Sequence, residues 1–516
     1  MCAVVAVVLL GRRLRMPYPI ALVIGGLCIS LVPGLPVIRI NPDLVFLLFL
    51  PPLLYAAGWM TSWHDFRQNL RPIFLLAVGL VLFTTLVVGL VVHALIPTMP
   101  LAVAFAFGAI VSPPDAVAAT AIAQQVALPR RIITVLEGES LVNDATGLVA
   151  LRFALAAAVS GTFSLERAAL EFVWVALGGL ALGLVVGLAM AQVTKLIKED
   201  SLVITVTLLV PYVAYLPAER LHVSGVLAAV SAGIYGGWRA PELFPAGTRL
   251  SAVSVWDMLV FLVNCVLFIL IGLQLPEVVQ QLDCHSAGEL LAYGALASAL
   301  VIGIRPLWVF PATWLPRLLS RKLRRRDPLP PWRHVFIVAW SGMRGVVSLA
   351  AALALPVSLA NGQPFPHRDL VIFLTFCVIF STLVLQGLSL PFIVRRLRVK
   401  EPRSEQHERD VREKLAQAAL AHLNRLAEQR GTHPAALQQV IAIYRERLQH
   451  LHDDLAELLG WSTQREQLVA LRRLRLEALG AERSELIRLR REHRVDDGLM
   501  REIEHEMDLE ETRLRS

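Results

Sequence analysis

The feature that most constrains this 516-residue chain is repetition. From its start to about residue 395, apolar runs long enough to cross a bilayer follow one another with short polar breaks between them. A hydrocarbon core about 30 Å thick requires about 20 residues of helix. Backbone in hydrocarbon must satisfy its own hydrogen bonds, so runs of this kind are read as helices. We place thirteen spans, at roughly 2–11, 18–33, 41–58, 72–96, 101–124, 132–159, 169–194, 201–217, 221–237, 251–275, 288–316, 333–357 and 369–394. The first is shorter than a full crossing, as expected of a partial helix or of a chain whose true start lies further upstream. A signal peptide is disfavoured, because the basic cluster "GRRLR" follows the apolar run instead of leading it. With 56% apolar and 17% charged residues and a mean hydropathy of +0.60, an ordinary soluble domain is excluded.

Loop charge fixes an expected orientation, since Lys and Arg concentrate on the cytoplasmic side. With the N-terminus outside, the inner loops carry Arg12, Arg13, Arg15, Arg67, Arg71, Arg130, Arg131, Lys195, Lys198, Arg239, Arg249 and the cluster from Arg317 to Arg333. The outer loops carry only Arg39, Arg167, Arg220 and Arg368, and the basic tail falls inside. The formal net charge of +8 is therefore a topology signal and not a mark of nucleic-acid binding. The five cysteines, Cys2, Cys28, Cys265, Cys284 and Cys377, show neither paired nor metal-like spacing, and Cys284 alone falls clearly in a loop.

Two spans are interrupted. The fifth, "LAVAFAFGAIVSPPDAVAATAIA", places Pro113, Pro114 and Asp115 at mid-membrane, and the twelfth, "VFIVAWSGMRGVVSLAAALALP", places Ser341, Gly342, Arg344 and Gly345 there. Prolines strand carbonyls one turn earlier and glycines permit unwound backbone. Groups freed in this way are tolerated only against protein or a water-filled cavity. The breaks stand seven spans apart, as in two six-helix inverted repeats joined by a linker helix, and matched broken helices point to a transporter's binding site. A proline kink or close glycine packing would read the same residues structurally, but neither explains why the two breaks carry opposite charges.

Spans 5, 6 and 12 together bring Asp115, Glu139, Asp144, Arg152 and Arg344 into the membrane, where each ion costs on the order of 3 kcal/mol on insertion scales. On span 6, Glu139 and Asn143 are four apart, as are Ser140 and Asp144, giving a polar patch about one turn high. Such a patch can hold one permanently paired carboxylate and leave the other for an ion. Arg344, always charged, needs a fixed counter-ion. A hard monovalent cation prefers carboxylate, hydroxyl and carbonyl oxygens, which Asp144, Ser140 and a freed carbonyl at Pro113 or Pro114 supply. With no histidine or thiol in the cluster, zinc and copper are not expected. Arg305 in span 11 and Asp257 in span 10 are candidates for pairing across helices, and Arg152 is read as reaching toward the membrane surface.

The stretches "GAIVSPPDAV", "GESLVNDA" and "GMRGVVSLAAAL", in this order and spacing, resemble the signature segments of the monovalent cation/proton antiporter family that includes bacterial and animal Na+/H+ exchangers, most closely the bacterial branch with a helical cytoplasmic tail. The resemblance implies a core domain that moves against a dimerisation domain in a homodimer, with spans 5 and 12 crossing near the midplane. It implies that Asp144 is the ion-binding aspartate with Asn143 beside it, that Ser140 helps to ligate the ion, and that Asp115 belongs to the unwound crossing helix. It further implies a structural ion pair between Glu139 and Arg344. Where many relatives carry Thr and use its carbonyl, this chain has Pro114, which keeps the carbonyl. After "LPP" in span 3, where relatives often carry a carboxylate, this chain offers Tyr55, Ala56 and Ala57. The Asn-Asp order implies one-for-one, electroneutral exchange.

From about Glu401 onward the pattern is amphipathic helix, broken at "RGTHP" and "GWST" into three or four helices, read as a small helical domain or a coiled coil across a dimer. Together these readings give an all-α polytopic membrane protein, with residues 1–395 as the transmembrane exchanger domain and 396–516 as a cytoplasmic helical tail. The expected function is exchange of Na+, or K+ or Li+ at the same site, for H+ across the plasma membrane, serving pH and sodium homeostasis. Its partners are then the transported ions and membrane lipid, with no cofactor. The alternatives are K+/H+ exchange and, from a different class, a cation channel or a non-transporting sensor. An enzyme is not expected, since no metal-ligand helix such as H-E-x-x-H or Ser/His pair is present.

Overall fold

The computed structural model describes residues 2–14, 16–32, 44–115, 119–120, 128–160, 165–280, 286–358, 363–399, 405–429, 434–452 and 465–515. The distal part of span 5, Arg39, Cys284 and the tail breaks at 430–433 and 460–463 lie outside the described residues. Among the described residues the regular structure is helical, apart from an isolated antiparallel bridge between Ser358 and Pro364. Two compact units result: one of Met1–Thr61, Phe66–Leu243 and Ser254–Glu401, the other of Ser62–Asp65, Phe244–Val253 and Pro402–Ser516.

In the first unit the helices are α1 (Cys2–Arg13), α2 (Tyr18–Ser30), α3 (Val45–Met60), α4 (Leu70–Leu95), α5 (Leu101–Val111) and α6 (Arg130–Ser160). They continue as α7 (Leu165–Leu196), α8 (Asp200–Arg220), α9 (Gly225–Leu243), α10 (Ala246–Gln280) and α11 (Ala287–Leu319). The last are α12 (Trp332–Trp340), α13 (Val346–Leu353) and α14 (Arg368–Leu397). Seven of these, α4, α6, α7, α8, α10, α11 and α14, are long and apolar enough to cross a membrane, and α2, α3 and α5 are shorter apolar helices. The protein is a multi-pass membrane protein. At the start of α11, Ser286 and Glu289 form a reciprocal capping box.

Two groups of helices divide this unit. α3, α7, α8 and α9 pack along one another, and α4, α5 and α6 form the heart of the other group, with α11 against α4 and α14. Hydrocarbon tails are as apolar as leucine, so close packing must come from shape. At the α3–α9 seam Gly58 lies against the backbone of Val230, and Gly233 against that of Tyr55, leaving no space for a side chain at either position. α6 touches α9 and α3 along only a short stretch. The polar patch of span 6 sits on this helix, at the boundary between the groups.

The second unit contains four tail helices, α15 (Glu405–Gln429), α16 (Pro434–His452), α17 (Arg465–Arg491) and α18 (Asp497–Arg515). α15, α17 and α18 bury Val411, Leu415, Leu486, Leu489, Ile503 and Met507 in one cluster, while Leu423, Leu437, Val440 and Tyr444 build a second. These helices pack on one another in one compact unit. The segments 62–65 and 244–253 are integral to this unit. Asp497 accepts hydrogen bonds from Ser62 Oγ and the His64 amide, each at 2.9 Å. Asp508 receives Arg249 at 2.5 Å and Arg483 at 2.8 Å. Asp508 is only 4% exposed and Arg249 10%. Removing one side of a buried ion pair strands the other and costs about 3 kcal/mol. Asp508→Asn is expected to raise amide exchange in α18 on the order of a hundredfold, measured by hydrogen exchange on the full chain, with exchange in α5 and α6 unchanged.

Candidate cation site

The site is built where two interrupted helices meet. α5 ends at Val111 and runs into Ser112, Pro113 and Pro114, while residues 341–345 separate α12 from α13. The breaks are joined through backbone: the Asp115 amide donates to the Met343 carbonyl at 2.7 Å. Gly345, at the N-cap of α13, lies directly under the Asp115 side chain, where a methyl group would overlap the carboxylate. A carboxylate at a helix N-terminus is favoured by the partial positive charge of the free amides.

Arg344 is 1% exposed and meets the opposite ends. Its Nε donates to Val111 O at 2.7 Å, at the C-terminus of α5, and its Nη1 to Gly342 O just beyond α12. Its amide donates to Thr382 Oγ1 at 3.1 Å. Both carbonyls lie where a helix terminus gathers partial negative charge.

The expected pair between Glu139 and Arg344 is not the one formed. Glu139 is held instead by Arg305 of α11, through Nη1–Oε1 at 2.5 Å and Nη2–Oε2 at 2.7 Å, with both side chains 1% exposed. The reason is geometric. Arg305 presents two parallel N–H groups to both carboxylate oxygens, and its Nε is fixed by Val338 O at 3.1 Å. Gly342 leaves room for its stem. Arg344, already satisfied by backbone carbonyls, is near enough to interact with Glu139 only electrostatically.

Asp144 is 7% exposed and, among the described residues, has neither an ion-pair nor a hydrogen-bond partner. Asn143, fully buried, donates from Nδ2 to Pro114 O at 3.0 Å, so the carbonyl expected to ligate an ion is tied to span 6. Asn143 Oδ1 is a buried acceptor with no donor among the described residues. Asp115 lies close enough to Asp144 for the two charges to interact. Ser140 stands one turn before Asp144, half-buried. The structure therefore gathers Asp115, Pro114, Asn143 and Asp144 around one crossing. It also places Tyr18 of α2 near Asp115 and beside the buried Asn264. No spacing rule marks these two residues.

Arg305 carried a sequence signal of its own: an arginine in the middle of a long apolar span cannot reach either surface and requires a carboxylate. Asp257 is exposed and is not its partner. Arg152, expected to reach toward the membrane surface, is half-exposed and meets Glu219 at 2.8 Å. Tyr55 is fully buried against Trp59 and Trp256, so its part of span 3 contributes packing.

Crossed broken helices around a buried carboxylate in a helical membrane protein are the architecture of a secondary transporter. The sodium/hydrogen exchanger transmembrane family matches residues 1–396. An uncharacterized Na(+)/H(+) exchanger of Mycobacterium tuberculosis is 36% identical over 522 residues, covering 99% of this chain and 94% of that protein. The sodium, potassium, lithium and rubidium/H(+) antiporter of Bacillus pumilus is 31% identical, covering 96% of this chain and 74% of that protein. Among solved structures, the sodium proton antiporter MjNhaP1 from Methanocaldococcus jannaschii shares the fold with a TM-score of 0.60 at 20% identity, over 77% of this chain and 97% of that one. The chain belongs to the sodium/hydrogen exchanger family. It is a transporter and not an enzyme.

The ion-pair assignment predicts a specific coupling. Glu139→Gln and Arg305→Gln are each expected to destabilise the detergent-purified protein by about 3 kcal/mol. The double variant should recover at least about 1 kcal/mol of the sum, whereas Glu139→Gln combined with Arg344→Gln should recover less than about 0.5 kcal/mol. Reversible denaturation across both cycles measures this, and equal coupling to the two arginines would contradict the assignment.

Proposed function

We propose that the protein exchanges Na+ or another monovalent cation for H+ at Asp144 by alternating access, one ion for one proton. The observation that carries this reading is the contrast between two carboxylates five residues apart on one helix. Glu139 is neutralised by Arg305, while Asp144 is buried on the same helix without a cationic partner among the described residues. A carboxylate so placed is costly when charged and empty, so it exchanges one positive partner for another. Asn143 holds the loop carbonyl of Pro114 and offers its free Oδ1, and Ser140 adds a hydroxyl, so the ligand set is all oxygen, as a hard cation prefers. Asp115 tunes the site through its charge and completes the crossing.

The same site accommodates K+ in place of Na+. The relatives from two Bacillus species are named for sodium, potassium, lithium and rubidium, and span 3 here carries Tyr55 and Ala56 where a further carboxylate ligand would narrow the choice. We assign the protein to the plasma membrane as a homodimer with a role in pH and sodium homeostasis, the N-terminus outside and the tail cytoplasmic, from the loop charge pattern and the family resemblance. Residues 1–395 are the exchanger and 396–516 its tail.

In proteoliposomes, cation-dependent proton flux is expected to fall to background in Asp144→Asn while the variant purifies as a folded protein. Wild-type transport after a sodium jump is expected to leave a membrane-potential dye unchanged. Full flux in Asp144→Asn would refute the site, and a dye response that needs no ionophore would refute the one-for-one ratio.

A further inference from the structure

Apart from the cation site, one charged cluster among the described residues of the membrane unit is incompletely neutralised. Arg71 in the first turn of α4, Arg131 in the first turn of α6 and Arg317 near the end of α11 converge on a single carboxylate, Asp327. Arg131 Nη2 reaches Asp327 Oδ1 at 2.8 Å, and Arg317 bonds its side chain and, through Nε at 3.3 Å, its carbonyl. Arg71 stands off at 4.0 Å, and its Nη1 is buried with no hydrogen-bond acceptor among the described residues. Three guanidiniums against one carboxylate leave a surplus of two positive charges. Arg71 and Arg317 lie close enough to repel each other. Although burial pushes the Asp327 carboxyl up, Arg131 and Arg317 hold it below the usual carboxylate range, so it is already fully charged and can neutralise no more. The short helix Arg321–Arg326, "RKLRRR", follows at once and adds five basic residues.

We propose that Arg71, Arg131 and Arg317, together with Arg321, Lys322, Arg324 and Arg325 of the short basic helix, form a binding site for the phosphate group of an anionic phospholipid headgroup. A phosphate oxyanion supplies what the cluster lacks: an acceptor for Arg71 Nη1 and further negative charge, with paired oxygens that match the fork of N–H groups on a guanidinium. The surroundings select a lipid over free phosphate. Leu318 and Leu319 are 60% and 79% exposed, as befits hydrocarbon contact, and Trp332 is 52% exposed, as befits the interfacial belt. The cluster thus sits where apolar surface gives way to a basic face, at headgroup level. It joins the ends of α4, α6 and α11, so a bound headgroup ties the helix carrying Asp144 to its neighbours.

The test uses the purified full-length protein in detergent, titrated with short-chain phosphatidylglycerol, phosphatidylcholine or inorganic phosphate, with binding followed by native mass spectrometry and thermal shift. Phosphatidylglycerol is expected to bind about tenfold more tightly than phosphatidylcholine. The half-exposed Arg131→Gln should weaken it about fivefold, Arg131→Lys much less, and Asp327→Asn should strengthen it about fivefold, as expected for one charge near a membrane surface. A purely structural staple predicts the opposite for Asp327→Asn: lost stability and no gain in anion affinity. Inorganic phosphate matching phosphatidylglycerol would keep the site and make its ligand soluble phosphate. Equal binding of both lipids, or phosphatidylglycerol affinity unchanged in Arg131→Gln, would overturn the proposal. Should Asp327→Asn fail to fold, the Arg131 pair decides.

Discussion

A guanidinium in hydrocarbon cannot shed its charge, so it has to be neutralised where it stands, and the membrane unit is organised around two of them. Arg305 and Arg344 are both 1% exposed. Arg305 takes a full carboxylate, Glu139, in a bidentate pair linking α11 to α6. Arg344 takes no carboxylate. It is held by carbonyls that exist only because α5 and α12 stop in mid-membrane. Each break supplies what the other needs: the freed carbonyls receive Arg344, and the α13 N-terminus receives Asp115. Repairing either helix would strand a charge.

This reciprocity explains why small residues cluster there. Gly345 admits the Asp115 carboxylate and Gly342 admits the stem of Arg305, so neither glycine serves mainly to loosen the chain. It also explains the role of Asn143. Pro114 lacks an amide but keeps its carbonyl, and the Asn143 side chain satisfies it. Span 6 therefore grips the crossing at two heights, by Asn143 to the α5 break and by Glu139 to α11, with Asp144 next to the first grip and committed to neither.

Much of this was legible in the residues. The seven helices long and apolar enough to cross follow from apolar run length, and the ends of α5 and α12 follow from Pro113, Pro114, Gly342 and Gly345. The pairing of Glu139 was not legible. Two arginines in separate spans compete for it, and sequence spacing carries no information on which guanidinium presents both N–H groups at the right angle. The resemblance favoured Arg344, but backbone carbonyls, which no residue pattern advertises, had already satisfied that side chain. The same blindness to backbone hid the neighbourhood of Tyr18 and Asn264 near Asp115, since both are single polar residues in otherwise ordinary apolar helices. In the tail, amphipathic periodicity marked helices but not their partners. That segments 62–65 and 244–253 belong to that unit depends on Asp497 and Asp508 meeting Ser62, His64 and Arg249.

Under the proposed function, the assignment of Glu139 to Arg305 also bears on stoichiometry. Three carboxylates lie within reach of the crossing. Glu139 is matched by the Arg305 guanidinium, and Asp115 lies at a helix N-terminus with its amide bonded to the opposing break. Asp144 alone has no built-in positive partner among the described residues. A site with one uncompensated carboxylate stays near neutrality only by holding one monovalent charge at a time, whether proton or metal cation. A second free carboxylate would call for a second charge per cycle. Under the one-for-one exchange we propose, the arginine in α11 takes Glu139 out of that count, although it does not touch the ion.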